Sequence, residues 1–179
     1  MTLAVGLSVA LGAQAPAPPA VSVSIAVPEI APRPEDVATL DGIIKAFYDV
    51  ISGPAGQPRE WARDRTLYIP GVRFVVVDVG KDGKPLVEVN THQEYVDGND
   101  ARMVKGGFFE TEIHRETMRY GHIAQVFSTY DVRRTKDGPV LGRGVNSIQL
   151  FWDGSRWWIA SATWEPESAG NPLPKGLLP

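Results

Sequence analysis

From Gly107 to Trp164 the sequence keeps strand periodicity almost without a break, and this run constrains the fold more than any other feature. Three long segments, Phe108 to Arg119, His122 to Arg133 and Gly144 to Trp152, are followed by Arg156 to Trp164. Turn signals separate them at Tyr120-Gly121, at Lys136-Asp137-Gly138-Pro139 and at Asp153-Gly154. Side chains in such segments alternate between the two faces of a sheet, and strands joined by short turns pair antiparallel. The final pair, "NSIQLFWDGSRWWIASATW", is loaded with tryptophan, so at least one face must pack against something bulky.

The residues before the meander supply that partner. In "EDVATLDGIIKAFYDVISGP" the apolar residues Val37, Leu40, Ile44, Phe47 and Ile51 recur at steps of three and four, which predicts one amphipathic helix ended by Gly53 and Pro54. "PREWARD" predicts a short helix with Pro58 in its first turn. "VRFVVVDVGKDGKPLVEVN" reads as two strands around a turn from Lys81 to Lys84. Thr91-x-x-Glu94 is a capping box that opens a helix toward Val104, with Gly98 weakening its middle. Helices followed by long strands define an α+β domain, with the sheet covering the N-terminal helices.

The N-terminus has a different composition. "LAVGLSVALGAQA" is apolar and ends in Ala13-Gln14-Ala15, a small-x-small pattern of the kind signal peptidase recognises, although no Lys or Arg precedes Arg33. Residues 1–15 therefore read as a secretory signal, with an unstructured tail as the other reading, and export implies a secreted or periplasmic protein. Residues 16–34, in which proline alternates with small residues, form an extended linker. The domain spans 35–167 and a tail covers 168–179. At 179 residues, 43% hydrophobic and 22% charged, the chain has material for one well-packed domain. A net charge of −3 gives no basic footprint for nucleic acid, and no apolar run is long enough to span a bilayer once the signal is removed. The absence of cysteine excludes disulfides and thiol catalysis.

Tight two-residue turns would fix which side chains share a face. A turn at Asp153-Gly154 pairs Ile148 with Ile159 and Leu150 with Trp157, placing Asn146, Ile148, Leu150, Trp157, Ile159 and Ser161 together. A turn at Tyr120-Gly121 groups Phe109, Thr111, Ile113 and Arg115 with Ala124, Val126, Ser128 and Tyr130. This mainly apolar face is the expected concave side. The opposite face holds Glu110, Glu112, His114, Glu116, Phe127, Phe151, Trp158 and Trp164, a mixture that fits a homodimer interface rimmed by charge.

This order of elements resembles the nuclear-transport-factor-2-like superfamily, and within it the SnoaL-like or limonene-epoxide-hydrolase-like relatives; the segments "FFETEIHRETMRYGHIAQVFSTYDVRR" and "RGVNSIQLFWDGSRWW" resemble a group of uncharacterised bacterial members of that superfamily. The resemblance covers roughly residues 35–167 and implies a cone in which a curved sheet wraps helices around a pocket, commonly dimeric through the sheet. Enzymes, ligand binders and interaction domains all use this shape, so it carries fold and not activity. Superfamily enzymes such as ketosteroid isomerase use an acidic base and hydrogen-bond donors inside the cone; no position here matches that acid by sequence.

Candidate site residues are the polar ones on the apolar face: Arg115, Ser128, Tyr130, Asn146 and Ser161, joined from the helical side by Tyr48, Trp61 and Tyr68. A buried polar group needs a partner, which is either a ligand or a neighbour, such as Asp49 for Arg115. Glu112-x-His114-x-Glu116 places carboxylate and imidazole on one strand side, a weak metal or proton-sharing motif more in keeping with a solvated rim. His92 and His122 are expected at the surface. No nucleophile elbow or phosphate loop is present. The leading expectation is a pocket protein that binds a small, largely apolar molecule without a cofactor. The alternatives are a cofactor-independent isomerase, cyclase or hydrolase, and a dimeric interaction module with a filled cone. A cavity holding a carboxylate of raised pKa would favour the enzyme.

Overall fold

The computed structural model describes residues 24–80 and 82–179; the expected signal and the first part of the linker lie outside them. Four helices, α1 (Pro34–Val37), α2 (Leu40–Asp49), α3 (Trp61–Arg65) and α4 (His92–Gly106), pack against six strands. These are β1 (Arg73–Val79), β2 (Pro85–Thr91), β3 (Phe109–Tyr120), β4 (Ile123–Arg133), β5 (Gly142–Trp152) and β6 (Trp157–Pro166). They form one curved sheet in the order β2-β1-β6-β5-β4-β3. Every neighbouring pair is antiparallel except β1 and β6, which run parallel where the early hairpin joins the later meander.

The single first helix expected from the apolar repeat is two. Thr39 leaves helical geometry and its hydroxyl accepts from the Gly42 amide, so it caps α2 and breaks the run. The short helix begins at Trp61 rather than at Pro58. The Thr91–Glu94 capping box is formed in full: each side chain bonds the other residue's backbone amide, which starts α4 at His92. Buried α2 residues Ile43, Ile44 and Phe47 meet Val126, Ile148, Leu150 and Ile159 of the sheet in one core.

Both hairpins differ from the tight two-residue turns read from the sequence. Tyr120 pairs with Ile123, so Gly121-His122 forms the first turn. Trp152 pairs with Trp157, leaving Asp153 to Arg156 in the second. There the Asp153 carboxylate accepts from the Ser155 and Arg156 amides and from the Trp158 indole, an arrangement that stabilises a longer turn and holds its carboxyl well below the usual range.

Two register shifts matter more. Ile113 is an extra residue between the Glu112–Tyr130 and His114–Thr129 pairs, and Ala160 is an extra residue between the Leu150–Ile159 and Gln149–Ser161 pairs. Each bulge reverses the alternation beyond it. On β3 it brings Glu110 and Glu112 to the concave side and sends Phe109 and Thr111 to the outside. On β6 it sends Ser161 outward, opposite Gln149, and turns Trp164 inward against Phe74 and Tyr95, with ring centroids 5.9 and 5.6 Å away. The expected partner-facing position of Trp164 is thereby corrected.

Residues 24–28 of the expected linker lie against the helices. The Ile25 amide donates to Asp97, Gln93 donates to the Ile25 carbonyl, and Arg65 donates to the Val27 carbonyl.

Candidate functional site

The concave side of the sheet encloses a cavity of about 300 Å³. Its walls are mainly apolar, with the rings of Phe47, Tyr68, Phe74, Tyr95, Phe108 and Trp164 among them, and its polar side chains include Glu110, Tyr130, Asn146, Asn99 and Arg102. The interior is therefore apolar with a few convergent polar groups, the usual composition of a small-molecule site.

Glu110 is the unusual member. The bulge at Ile113 points it inward opposite Val132, where it is half-buried because it opens on the cavity. Asn146 Nδ2 donates to its Oε1 at 3.1 Å. Desolvation by these surroundings pushes the carboxyl up to about 7, against the stabilising pull of the Asn146 amide. The phenols nearby respond to the same conditions. Burial, with the Glu110 charge second, raises Tyr48 and Tyr130 far above an ordinary tyrosine, so both remain protonated donors. Tyr130 makes no hydrogen bond among the described residues and lines the cavity, which leaves its hydroxyl available to a guest. Its ring lies across Gly144, its partner on β5, where a Cβ would collide with the phenol.

Behind the cavity wall, Asn146 also donates to Tyr48 Oη at 3.1 Å, and Tyr48 Oη lies 2.6 Å from Ser128 Oγ. Ser128 donates to Glu112 Oε2 at 2.5 Å, and Arg115 Nε bonds both Glu112 oxygens at 2.8 and 3.0 Å. Arg115 then reaches Asp41 at the surface.

The sequence-predicted residues thus fall into three groups. Tyr130 and Asn146 line the cavity; Tyr48 and Ser128 stand one layer behind and contact them or each other. Arg115 is drawn away by Glu112 and Asp41, the expected acidic pairing with Asp41 in place of Asp49, which bonds Lys45. Trp61 is buried but elsewhere, its indole donating to Asp100 at 2.6 Å. Ser161 is on the outer face. Glu112, His114 and Glu116 do not share a side, because the bulge puts Glu112 inside and the other two outside. His92 is buried rather than exposed: Nε2 lies 2.8 Å from Asp64, whose other oxygen accepts from Tyr68.

Glu110 was missed because perfect alternation places it outside. The only signal for it was the cluster of carboxylates on a strand otherwise facing apolar partners, and a bulge leaves no reliable mark in a single sequence.

No family model and no curated protein matches the sequence. Solved structures match the fold. A protein of unknown function from Nostoc punctiforme, described as having a cystatin-like fold, is 10% identical with a TM-score of 0.54, covering 73% of this chain and 90% of that one. A function-unknown protein from Mycobacterium tuberculosis is 18% identical with a TM-score of 0.52, covering 74% and 73%. An NTF-2 like protein of unknown function from Silicibacter pomeroyi is 13% identical with a TM-score of 0.47, covering 73% and 94%. The chain has the cystatin-like, nuclear-transport-factor-2-like α+β fold that its sequence resembles. At these identities the likeness is one of fold.

Proposed function

We propose that the domain is an acid–base enzyme that acts without a cofactor on a compact, largely apolar molecule, with Glu110 taking and returning a proton. The observation that carries this reading is a carboxyl with a pKa of about 7 facing a cavity. A base is most useful when its pKa lies near the working pH, because it is then substantially ionised and still able to hold a proton. The Tyr130 hydroxyl, protonated and without a hydrogen-bond partner among the described residues, would donate to an oxygen on which negative charge gathers as the proton leaves. The aromatic part of the wall favours a ring-sized apolar body. Proton removal beside a carbonyl, followed by its return at the same or another carbon, fits these parts.

The test is deuterium incorporation from D2O into a panel of cyclic ketones and enones, with parent and Glu110→Gln compared. Exchange by the parent, lost in Glu110→Gln at unchanged ligand affinity, is the expected result. Compounds that raise the melting temperature of both proteins equally and exchange in neither would return the domain to a simple binder.

The outer sheet face supports a further reading, that two copies associate through it. Phe127 is 39% exposed and Ile123 52% exposed there, with Met118 also open. Trp158, expected at the centre of that contact, is instead engaged by Arg156, 3.7 Å above its ring, and by Asp153. Phe127 is therefore the better position to probe. Export directed by residues 1–15 remains a proposal from the sequence, checked by intact mass after expression in the native host.

A further inference from the structure

Hydrogen-bond directions behind the cavity are determined by counting protons. The Glu112 carboxylate, clamped by Arg115, can only accept, so the 2.5 Å contact with Ser128 uses the serine's single proton. The 2.6 Å contact between Ser128 and Tyr48 then requires the phenol proton. With its proton spent, Tyr48 Oη can only accept from the next group, so the atom of Asn146 facing it at 3.1 Å must be the amide nitrogen. A side-chain amide whose two orientations look alike is thereby fixed by its neighbours. The second hydrogen of the same nitrogen points at Glu110 Oε1, 3.1 Å away.

We propose that Glu112, acting through Ser128 and Tyr48, holds the Asn146 amide as a double donor, so that Glu110 is bonded at Oε1 and exchanges its proton at Oε2. Its importance for turnover rests on the acid–base reading of Glu110; the orientation itself does not. Glu112, Ser128 and Tyr48 are positioning residues under this scheme, since none of them lines the cavity. The relay joins four elements, from β3 through β4 and α2 to β5, and connects an ion pair near the surface with the carboxyl inside. Without the charge on Glu112 the serine and phenol protons could reverse. Asn146 could then present its carbonyl to Glu110, a contact that favours the protonated acid.

The other ionisable groups that share the cavity lining with Glu110 are Tyr68 from the α3–β1 connection, Tyr95 from α4 and Tyr130 from β4, all held protonated by burial, together with Glu88 and Arg102. None of them lies in the relay, so variants in the relay leave them in place.

The experiment is NMR on the full chain with carbon-13 in glutamate side-chain carboxyls and nitrogen-15 in asparagine, for the parent, Tyr48→Phe, Glu112→Gln and Asn146→Leu. In the parent both Asn146 amide protons are expected to be shifted downfield and protected from exchange. Tyr48→Phe should release one of them, and Glu112→Gln and Tyr48→Phe should each move the Glu110 titration upward by roughly half to one pH unit, in the direction of Asn146→Leu. If Asn146→Leu shifts Glu110 while folded Tyr48→Phe and Glu112→Gln leave both its titration and the Asn146 protons unchanged, the relay does not orient the amide. Should one variant fail to fold, as circular dichroism would show, the other decides. These readouts need no substrate: loss of coupling would overturn the relay alone, and turnover persisting in Glu110→Gln would overturn the acid–base reading alone.

Discussion

Glu110 and Glu112 sit two residues apart on one strand, on the same side of the sheet, and have the same side chain, yet their surroundings are opposite. Glu112 has a guanidinium on both oxygens and a serine hydroxyl besides. Glu110 has one amide, aromatic walls and a cavity. A carboxylate with a cation in contact is an electrostatically satisfied structural group; one left with a single neutral donor in apolar surroundings holds its proton up to about 7. The pair shows that the protonation behaviour of a carboxyl in this fold is set by its partners and not by its residue type, the same logic by which environment separates the two carboxylates of a glycosidase site.

The strongest way to break the contrast is to remove the unsatisfied member. Glu110→Gln should lower turnover by on the order of 10²–10⁴, the usual contribution of a positioned base. It should also stabilise the protein, with a definite pH dependence. Because the folded-state pKa of Glu110 lies above its unfolded value, the parent loses stability as pH rises through the ordinary glutamate range, and the loss is complete above about 7. Chemical denaturation should therefore find Glu110→Gln more stable by on the order of 2–3 kcal/mol at pH 8 and little changed at pH 4.

Next in size is making Glu110 resemble its neighbour. Val132 is its register partner and lines the cavity. Val132→Arg should supply the missing cation, bring the Glu110 carboxyl back toward the usual carboxylate range and abolish activity at neutral pH; a carbon-13 titration and a pH–rate profile would record both. Making Glu112 resemble Glu110 is the reverse test. Arg115→Leu removes the clamp and should cost about 1–3 kcal/mol through a half-buried carboxylate left without its cation, read as a lower melting temperature.

Smaller effects separate the two residues' neighbours. Tyr130→Phe should change stability by only about 0.5 kcal/mol, since its hydroxyl has no partner to strand among the described residues, while lowering turnover if that hydroxyl meets developing charge. Phe127→Glu, on the opposite face of the sheet from both carboxyls, should leave the Glu110 titration untouched and convert a dimer to a monomer by light scattering; a parent already monomeric would remove the sheet-face interface.

How far the sequence revealed this arrangement depends on the kind of signal involved. The strands, the β1–β2 hairpin and α4 with its capping box were legible because periodicity and caps are local properties. Asn146, Ile148, Leu150 and Trp157 were placed inward correctly because the longer turn at Asp153 moved the register by two, which preserves parity. Glu110, Trp164 and Ser161 were misplaced because a bulge moves it by one. Such an insertion is selected by how the sheet must curve over α2 and α4, a tertiary demand that strand alternation does not encode. The carboxyl proposed as the base was thus hidden by the irregularity that delivers it to the cavity.

The proposed chemistry requires the Glu110 carboxyl to titrate near neutrality inside the cavity. This is tested most directly by following its side-chain carboxyl carbon in the parent protein, assigned by its disappearance in Glu110→Gln, from pH 3 to pH 9. A midpoint near 7 is the expected result. A midpoint near the ordinary glutamate value of about 4.3 would mean that water or an unrecognised partner satisfies the charge, and would contradict the account.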